Sequence, residues 1–253
     1  AQHRLGLMHH DGEGGPQDFT EARRLYGLAA EQGDTDARYN LGIMHLDGKG
    51  IPQDLAEARR LFGLAAAQGD ADAQHALGLM HFHGQSGPID FTEARRLIGI
   101  AAEQGHADAQ RDLGNMHHDG EGGPINCAEA RRLFGLAAAQ GNADAQHILG
   151  HMHRKGEGVP RDLAEARRLL GLAAAQGHAD AQAALSDMHR RGEVGPSDCK
   201  PSAEEKAALA ESRRAEKMHE ATRRREQEAK QTAAASVEQE RQARESAVAL
   251  AAE

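Results

Sequence analysis

Histidine is the residue type most able to do chemistry in this chain. There are 16 of them, and six stand in a fixed pair: Met8-His9, Met44-His45, Met80-His81, Met116-His117, Met152-His153 and Met188-His189. His147 and His151 lie four residues apart, on one face of a helix, and His153 follows. His81/His83 and His117/His118 are further pairs. Imidazole is the commonest metal ligand, and two on one turn can share an ion. A defined zinc site takes three or four ligands, and no Asp or Glu completes a familiar motif beside these pairs. A histidine-based metal binder is therefore the weakest of the candidate functions. No metal and no cofactor is expected. The Met-His column reads instead as a structural position, hydrogen-bonding across a helix hairpin. Its protonation near pH 6 is expected to loosen the fold.

Arginine offers a second chemistry. Arg23/Arg24, Arg59/Arg60, Arg95/Arg96, Arg131/Arg132 and Arg167/Arg168 form a ladder that could hold phosphates. Acids of the Glu21 and Asp36 type recur beside it, however, which reads as a salt-bridged outer face. No phosphate-loop signature, cysteine-rich zinc pattern or nucleophile–base set is present. The glycines of Asp11-Gly-Glu-Gly-Gly-Pro16 follow no strand and are turn residues. The chain is not expected to be an enzyme.

These residues recur because the chain does. Leu5, Leu41, Leu77, Leu113, Leu149 and Leu185 open an L-G or L-S pair every 36 residues. A fixed period in this range marks a stacked-repeat protein. Five full units are read as 1–36, 37–72, 73–108, 109–144 and 145–180, and a partial sixth begins at Ala181. Each is a helix hairpin. The first helix of unit two, helix A, runs from about Ala37 to Leu46, with Ala37, Leu41, Met44 and His45 on one face. Gly42 interrupts it, at a cost of about 1 kcal/mol against alanine. Its recurrence suggests close backbone approach by the partner helix. Asp47-Gly-Lys-Gly-Ile-Pro52 is the turn. Asp54 and Glu57 form a capping box that opens helix B, which carries Leu55, Ala58, Leu61, Phe62, Ala65 and Ala66 inward. Gly69 ends it.

The recurring string L-G-x-M-x-x-x-G-x-G-x-P-x-D-x-x-E-A-x-R-L-x-x-L-A-A-x-Q-G-x-A-D-A-Q resembles the Sel1-like repeat, a relative of the tetratricopeptide repeat. The resemblance covers Ala1 to about Asp198. It implies an all-α, α/α superhelical solenoid that acts as an adaptor or scaffold in protein complexes, without catalysis. The chain departs from the family where a tyrosine is usual in helix A: the Met-His histidines stand there. Leu25, Leu61, Leu97, Leu133 and Leu169 replace a second aromatic.

Two domains are expected: the solenoid, 1–198, and an Ala/Glu/Arg-rich helical tail, 199–253. The tail reads as one long helix of roughly 75 Å. Its sparse Leu209, Met218, Val237, Val248 and Leu250 hold no heptad. Self-association through this helix is the main alternative function. Cys127 and Cys199 hold the same repeat position two units apart, beyond disulfide reach. That fits a reducing compartment and favours the cytoplasm. The chain begins in mid-register, so its start says nothing of a leader. The net charge of −9 argues against a general nucleic-acid binder, and no apolar run approaches a membrane span.

Recognition is expected where units differ. On helix A the variable positions form an i, i+4, i+7 stripe, on the concave side of such solenoids. Unit two presents Tyr39, Ile43 and Leu46, and unit three His75, Leu79 and Phe82. Unit four presents Arg111, Asn115 and His118, and unit five His147, His151 and Arg154. The apolar start and the basic, polar end suit an amphipathic or acidic-hydrophobic peptide. The expected partner is a protein or peptide.

Overall fold

The computed structural model describes residues 1–193. Among them are eleven α-helices and no strand. The hairpins are α1 (Gln2–Asp11) with α2 (Phe19–Glu31), α3 (Thr35–Asp47) with α4 (Leu55–Ala66), α5 (Ala71–His83) with α6 (Phe91–Glu103), α7 (Ala107–Asp119) with α8 (Cys127–Ala139), and α9 (Ala143–Lys155) with α10 (Leu163–Ala175). The A helix of a sixth unit is α11 (Ala179–Arg190). Each helix packs chiefly on the one before and the one after it, as a solenoid requires. The tail and the expected boundary at residue 198 lie outside the described residues.

Helix A begins two residues earlier than the hydrophobic pattern predicts. Asp34, Asp70, His106, Asn142 and His178 are its caps, each accepting the N–H of the alanine three residues on. It ends at Gly48 and its equivalents, which hold a left-handed φ of 70° at Gly48.

The capping box is made only by half. Asp54 Oδ1 accepts the N–H of Ala56 and Glu57 at 3.1 and 3.0 Å. The Asp54 N–H, however, donates to the His45 carbonyl at 2.9 Å. The turn folds that carbonyl back onto helix B, so Glu57 is not needed there. It accepts instead from Arg60 at 2.7 and 2.8 Å. The same exchange recurs in the other hairpins, Glu21–Arg24 to Glu165–Arg168.

The core is layered by unit. Ala37 and Met44 of α3 and Ala58, Leu61, Phe62 and Ala65 of α4 are buried, while Leu55 and Ala66, expected inward, are half-buried. Gly42 admits a side chain rather than a backbone: a Cβ there would lie 2.6 Å from Phe62 Cε1. Phe134 presses on Gly114 in the same way, while at Gly6, Gly78 and Gly150 the side chains of Tyr26, Ile98 and Leu170 are joined by the expected backbone approach, with the Ala22, Ala94 and Ala166 carbonyls 3.3–3.4 Å from a Cβ.

Gln74, Gln110 and Gln146 are buried polar side chains. Gln110 Nε2 donates to the Ala102 carbonyl of the preceding unit at 3.1 Å, and its Oε1 accepts from Gln140 of its own unit at 2.8 Å. Each such glutamine ties three helices together and satisfies a buried carbonyl.

Candidate protein-interaction face

Helix geometry puts Asp36, Tyr39, Ile43 and Leu46 on one side of α3, and Asp72, His75, Leu79 and Phe82 on one side of α5. All twelve stripe residues are half-buried except His118, which is exposed. Their inner edges pack on the core. Tyr39, Ile43 and Leu46 rest on Ala58, Phe62 and Met80. Leu79 and Phe82 rest on the cluster of Ala94, Ile98 and Met116. The Tyr39 ring lies 5.7 Å from Phe62, and Phe82 stands edge-on to Phe91 at 5.1 Å. Their outer edges form a partly exposed apolar floor across two units.

The far end of the stripe is wired into the fold. His75 Nε2 lies 2.7 Å from Asp112 Oδ2. Arg111 donates to Asp112 at 2.9 Å and to Asp144 at 2.7 Å, with Asp108 at 3.8 Å. Burial pushes the Asp112 carboxyl up, but His75 and Arg111 together hold it below its usual range. Arg154 donates to Asp187 and Glu193, both at 2.7 Å. The positive charges at Arg111 and Arg154 are thus met within the chain. His147 stacks on His178 at 4.6 Å and meets His151 edge-on at 4.7 Å. Burial lowers the pKa of both His147 and His151. His151 and His178 add to the effect at His147, and Arg154 and Lys155 at His151.

The Met-His column makes its bond across the hairpin with its backbone. At His81 and His117 the side chain meets the preceding unit. The Arg59 guanidinium of α4 lies 3.0 Å from His81 Nε2, and Arg95 of α6 reaches His117 in the same way. Burial, then the arginine, pushes both imidazoles down. The Nδ1 atoms of His45 and His153 are buried and without a partner. So the two arginines of a pair divide: Arg60 meets Glu57 within its helix, whereas Arg59 crosses to the next hairpin.

Among the described residues, the group with three metal-ligating atoms within 4.8 Å of one another is His3, Asp34 and Asp36, not the histidine pairs singled out in the sequence. Asp34 already caps α3 through Ala37 N–H at 2.9 Å, and His3 Nε2 lies 3.0 Å from Asn40. Cys127 is a free, exposed thiol at the start of α8. Cys199 lies outside the described residues.

Two features escape a pattern based on helix faces. Gln17, Gln53 and Arg161 donate to the last carbonyls of their A helices, at His10, Leu46 and Arg154. At the same register Ile89 and Ile125 are 58% and 65% exposed. Aligning the units column by column would have shown that change. The second is the row Asp36, Asp72, Asp108 and Asp144, at the start of each A helix and more than half exposed. The sequence set it beside the arginine ladder as part of a salt-bridged outer face, but Asp108 and Asp144 meet Arg111 of helix A, and Asp36 and Asp72 meet histidines.

The Sel1 repeat family model matches residues 1–34, 35–70, 71–106, 107–142, 143–178 and 179–208. The chain belongs to the Sel1 repeat family. Those Sel1 boundaries fall at the helix caps, which is why they precede by two residues the units read from the hydrophobic pattern. Among solved structures, a Sel1 repeat protein from Oxalobacter formigenes is 30% identical over 85% of this chain and 86% of that one, with a TM-score of 0.74. A protective antigen present in uropathogenic Escherichia coli strains, displaying an SLR fold, is 34% identical over 83% of this chain, with a TM-score of 0.72. The chain spans 45% of that antigen's length. The immunity protein PA5088 from Pseudomonas aeruginosa, 19% identical with a TM-score of 0.52 over 83% of this chain and 81% of that one, shares the fold alone. No curated protein matches the chain. Sel1 solenoids are generally protein-interaction scaffolds, and no described helix of this one is long and apolar enough to cross a membrane.

Proposed function

We propose that this Sel1 solenoid is a non-catalytic adaptor that binds a protein or peptide on its concave helix-A face. The observation that carries the proposal is the apolar floor of Tyr39, Ile43, Leu46, Leu79 and Phe82, with His75 between its two halves. A partly exposed apolar group on one side of two adjacent helices is what a helix-in-groove or extended-peptide partner uses. Arg111, Asn115, His118, His147, His151 and Arg154 continue the same face and would set the partner's register at its polar end.

The test is a pull-down with the intact chain and with Ile43, Leu79 and Phe82 changed to Asp, after circular dichroism shows both are folded. Partners recovered by the parent and lost by the variant are the expected result. Unchanged recovery means the face is wrong. Self-association through 199–253 is the competing proposal. Removing residues 201–253 and measuring mass in solution separates the two: an adaptor of this kind keeps its mass state.

A further inference from the structure

We infer, building on the helix-A face proposed above, that its partner is a protein segment combining apolar side chains with a basic group: the apolar residues on Tyr39, Ile43, Leu46, Leu79 and Phe82, the cation at Asp36, Asp70 and Asp72. This reverses the sign of the acidic peptide that the stripe suggests by composition.

The first reason is placement. Asp36 precedes Tyr39 by three residues and Asp72 precedes His75 by three, so each carboxylate stands on the same helix side as the floor, one turn away. The side chains of Asp36 and Asp72 are 71% and 60% exposed. Asp70 caps α5 between them, accepting the Ala73 N–H at 2.7 Å.

The second reason is that these acids lack strong cations. Among the described residues no Lys or Arg lies within 4.0 Å of Asp36, Asp70 or Asp72. Asp36 has only His3 at 4.0 Å, and Asp72 only His106 at 2.9 Å. The contrast lies along the same face: Asp108, Asp112 and Asp144 share Arg111, while Asp187 and Glu193 share Arg154. Beside the apolar floor the carboxylates thus have no Lys or Arg to meet them, whereas those around Arg111 and Arg154 do. The effect is felt locally. Burial and then the charges of Asp72 and Asp36 keep the Asp70 carboxyl above its usual range, and burial with the charges of Asp72 and Asp70 raises the Tyr39 phenol.

The third reason is overall charge. Residues 1–198 hold 28 of the 39 acidic and 19 of the 30 basic residues, so the whole net charge of −9 is on the solenoid. Such a surface draws in a basic segment and repels an acidic one. Arg111 and Arg154, the cations that would have greeted an acidic peptide, are occupied.

The test uses a defined probe with the intact chain. A fluorescent amphipathic peptide of about 18 residues, built of Leu and Lys, is titrated by anisotropy at about 0.15 M salt, beside its Leu/Glu counterpart. The variants are Asp36→Asn with Asp72→Asn, the floor variant Ile43→Ser with Leu79→Ser, and the control Glu31→Gln with Glu103→Gln, which removes the same charge from the ends of α2 and α6. All are checked for parent-like circular dichroism, and Asp36→Asn alone serves if the double variant does not fold. The expected result is that the Leu/Lys peptide binds and the Leu/Glu peptide does not. The aspartate variant then weakens binding about tenfold, the floor variant weakens it as well, and the control stays within about twofold. If the floor variant weakens binding while the aspartate variant matches the control, or if the Leu/Glu peptide binds as well, the basic partner is overturned and the face survives. If the floor variant has no effect, the face itself is overturned.

Discussion

Gly114→Ala and Gly135→Ala place the same methyl group on the two helices of one hairpin, with opposite expected results. In a helix interior, alanine is favoured over glycine by about 1 kcal/mol. Gly135 lies in mid α8, and a Cβ there meets nothing within 4 Å. The whole propensity gain is therefore available, and Gly135→Ala should stabilise by close to 1 kcal/mol. Gly114 lies in α7, where a Cβ would fall 2.7 Å from Phe134 Cε1 and 2.9 Å from Cδ1. Phe134 is fully buried among Ala130, Ala137, Ala145 and Leu149, so the ring has no space to retreat. Overpacking of this kind costs about 1–3 kcal/mol, and so close a contact belongs at the top of that range. Set against the propensity gain, Gly114→Ala should lose about 2 kcal/mol. The two variants then differ by about 3 kcal/mol, or roughly 6–12 °C in melting temperature for a chain of this size. Urea and thermal melts of the full chain, followed by far-ultraviolet circular dichroism, measure both. If Gly114→Ala proves as stable as Gly135→Ala, the helix-A glycine is not there to admit the ring, and the account of core packing fails at its centre.

Gln110→Leu keeps the side-chain volume but strands the Ala102 carbonyl and the Gln140 amide, so it should cost about 1–3 kcal/mol. Gln182→Leu, at the same repeat position but exposed, should cost much less, and equal losses would refute the glutamine ladder. The pH response follows from His81, His117, His147 and His151, whose pKa values are all lowered in the fold. The folded state binds these protons less readily than the unfolded chain. Stability should therefore be full above the ordinary histidine value and fall as pH drops through it towards the lower folded values. Melting temperatures from about pH 8 to about pH 5.5 that stay flat or rise would contradict this. The Glu–Arg pairs, with carboxyls held below their usual range, keep their contribution through that window and lose it only at more acidic pH.

The period together with the helical spacing and turn inside each unit determined the fold from sequence alone, because repeats of 36 residues bury their apolar faces by stacking on one another. Helix caps, turn glycines and most of the buried face were legible for the same reason: they depend on contacts within a few residues. The residues whose roles shifted are those whose surroundings are set by how one helix or turn lies against another. Gly42 suggested backbone approach and admits Phe62. Glu57 suggested a reciprocal cap and pairs with Arg60, because the turn delivers the His45 carbonyl to the cap first. The Met-His column suggested a bond within its hairpin, but His81 meets Arg59 of the preceding one.

The candidate face divides along the same line. Its members were visible as the variable stripe on helix A, since a helix fixes which residues share a side. Its charge was not. Arg111 and Arg154 count as basic in any string of letters, and only the stacking of one unit on the next sets them against Asp144 and Asp187. The same stacking leaves Asp36 and Asp72 facing only histidines. Sequence determined the scaffold and marked the variable stripe on which the face is proposed. The tertiary structure decided which charges along that stripe are met within the chain, because electrostatic compensation depends on distances across units that no local pattern encodes.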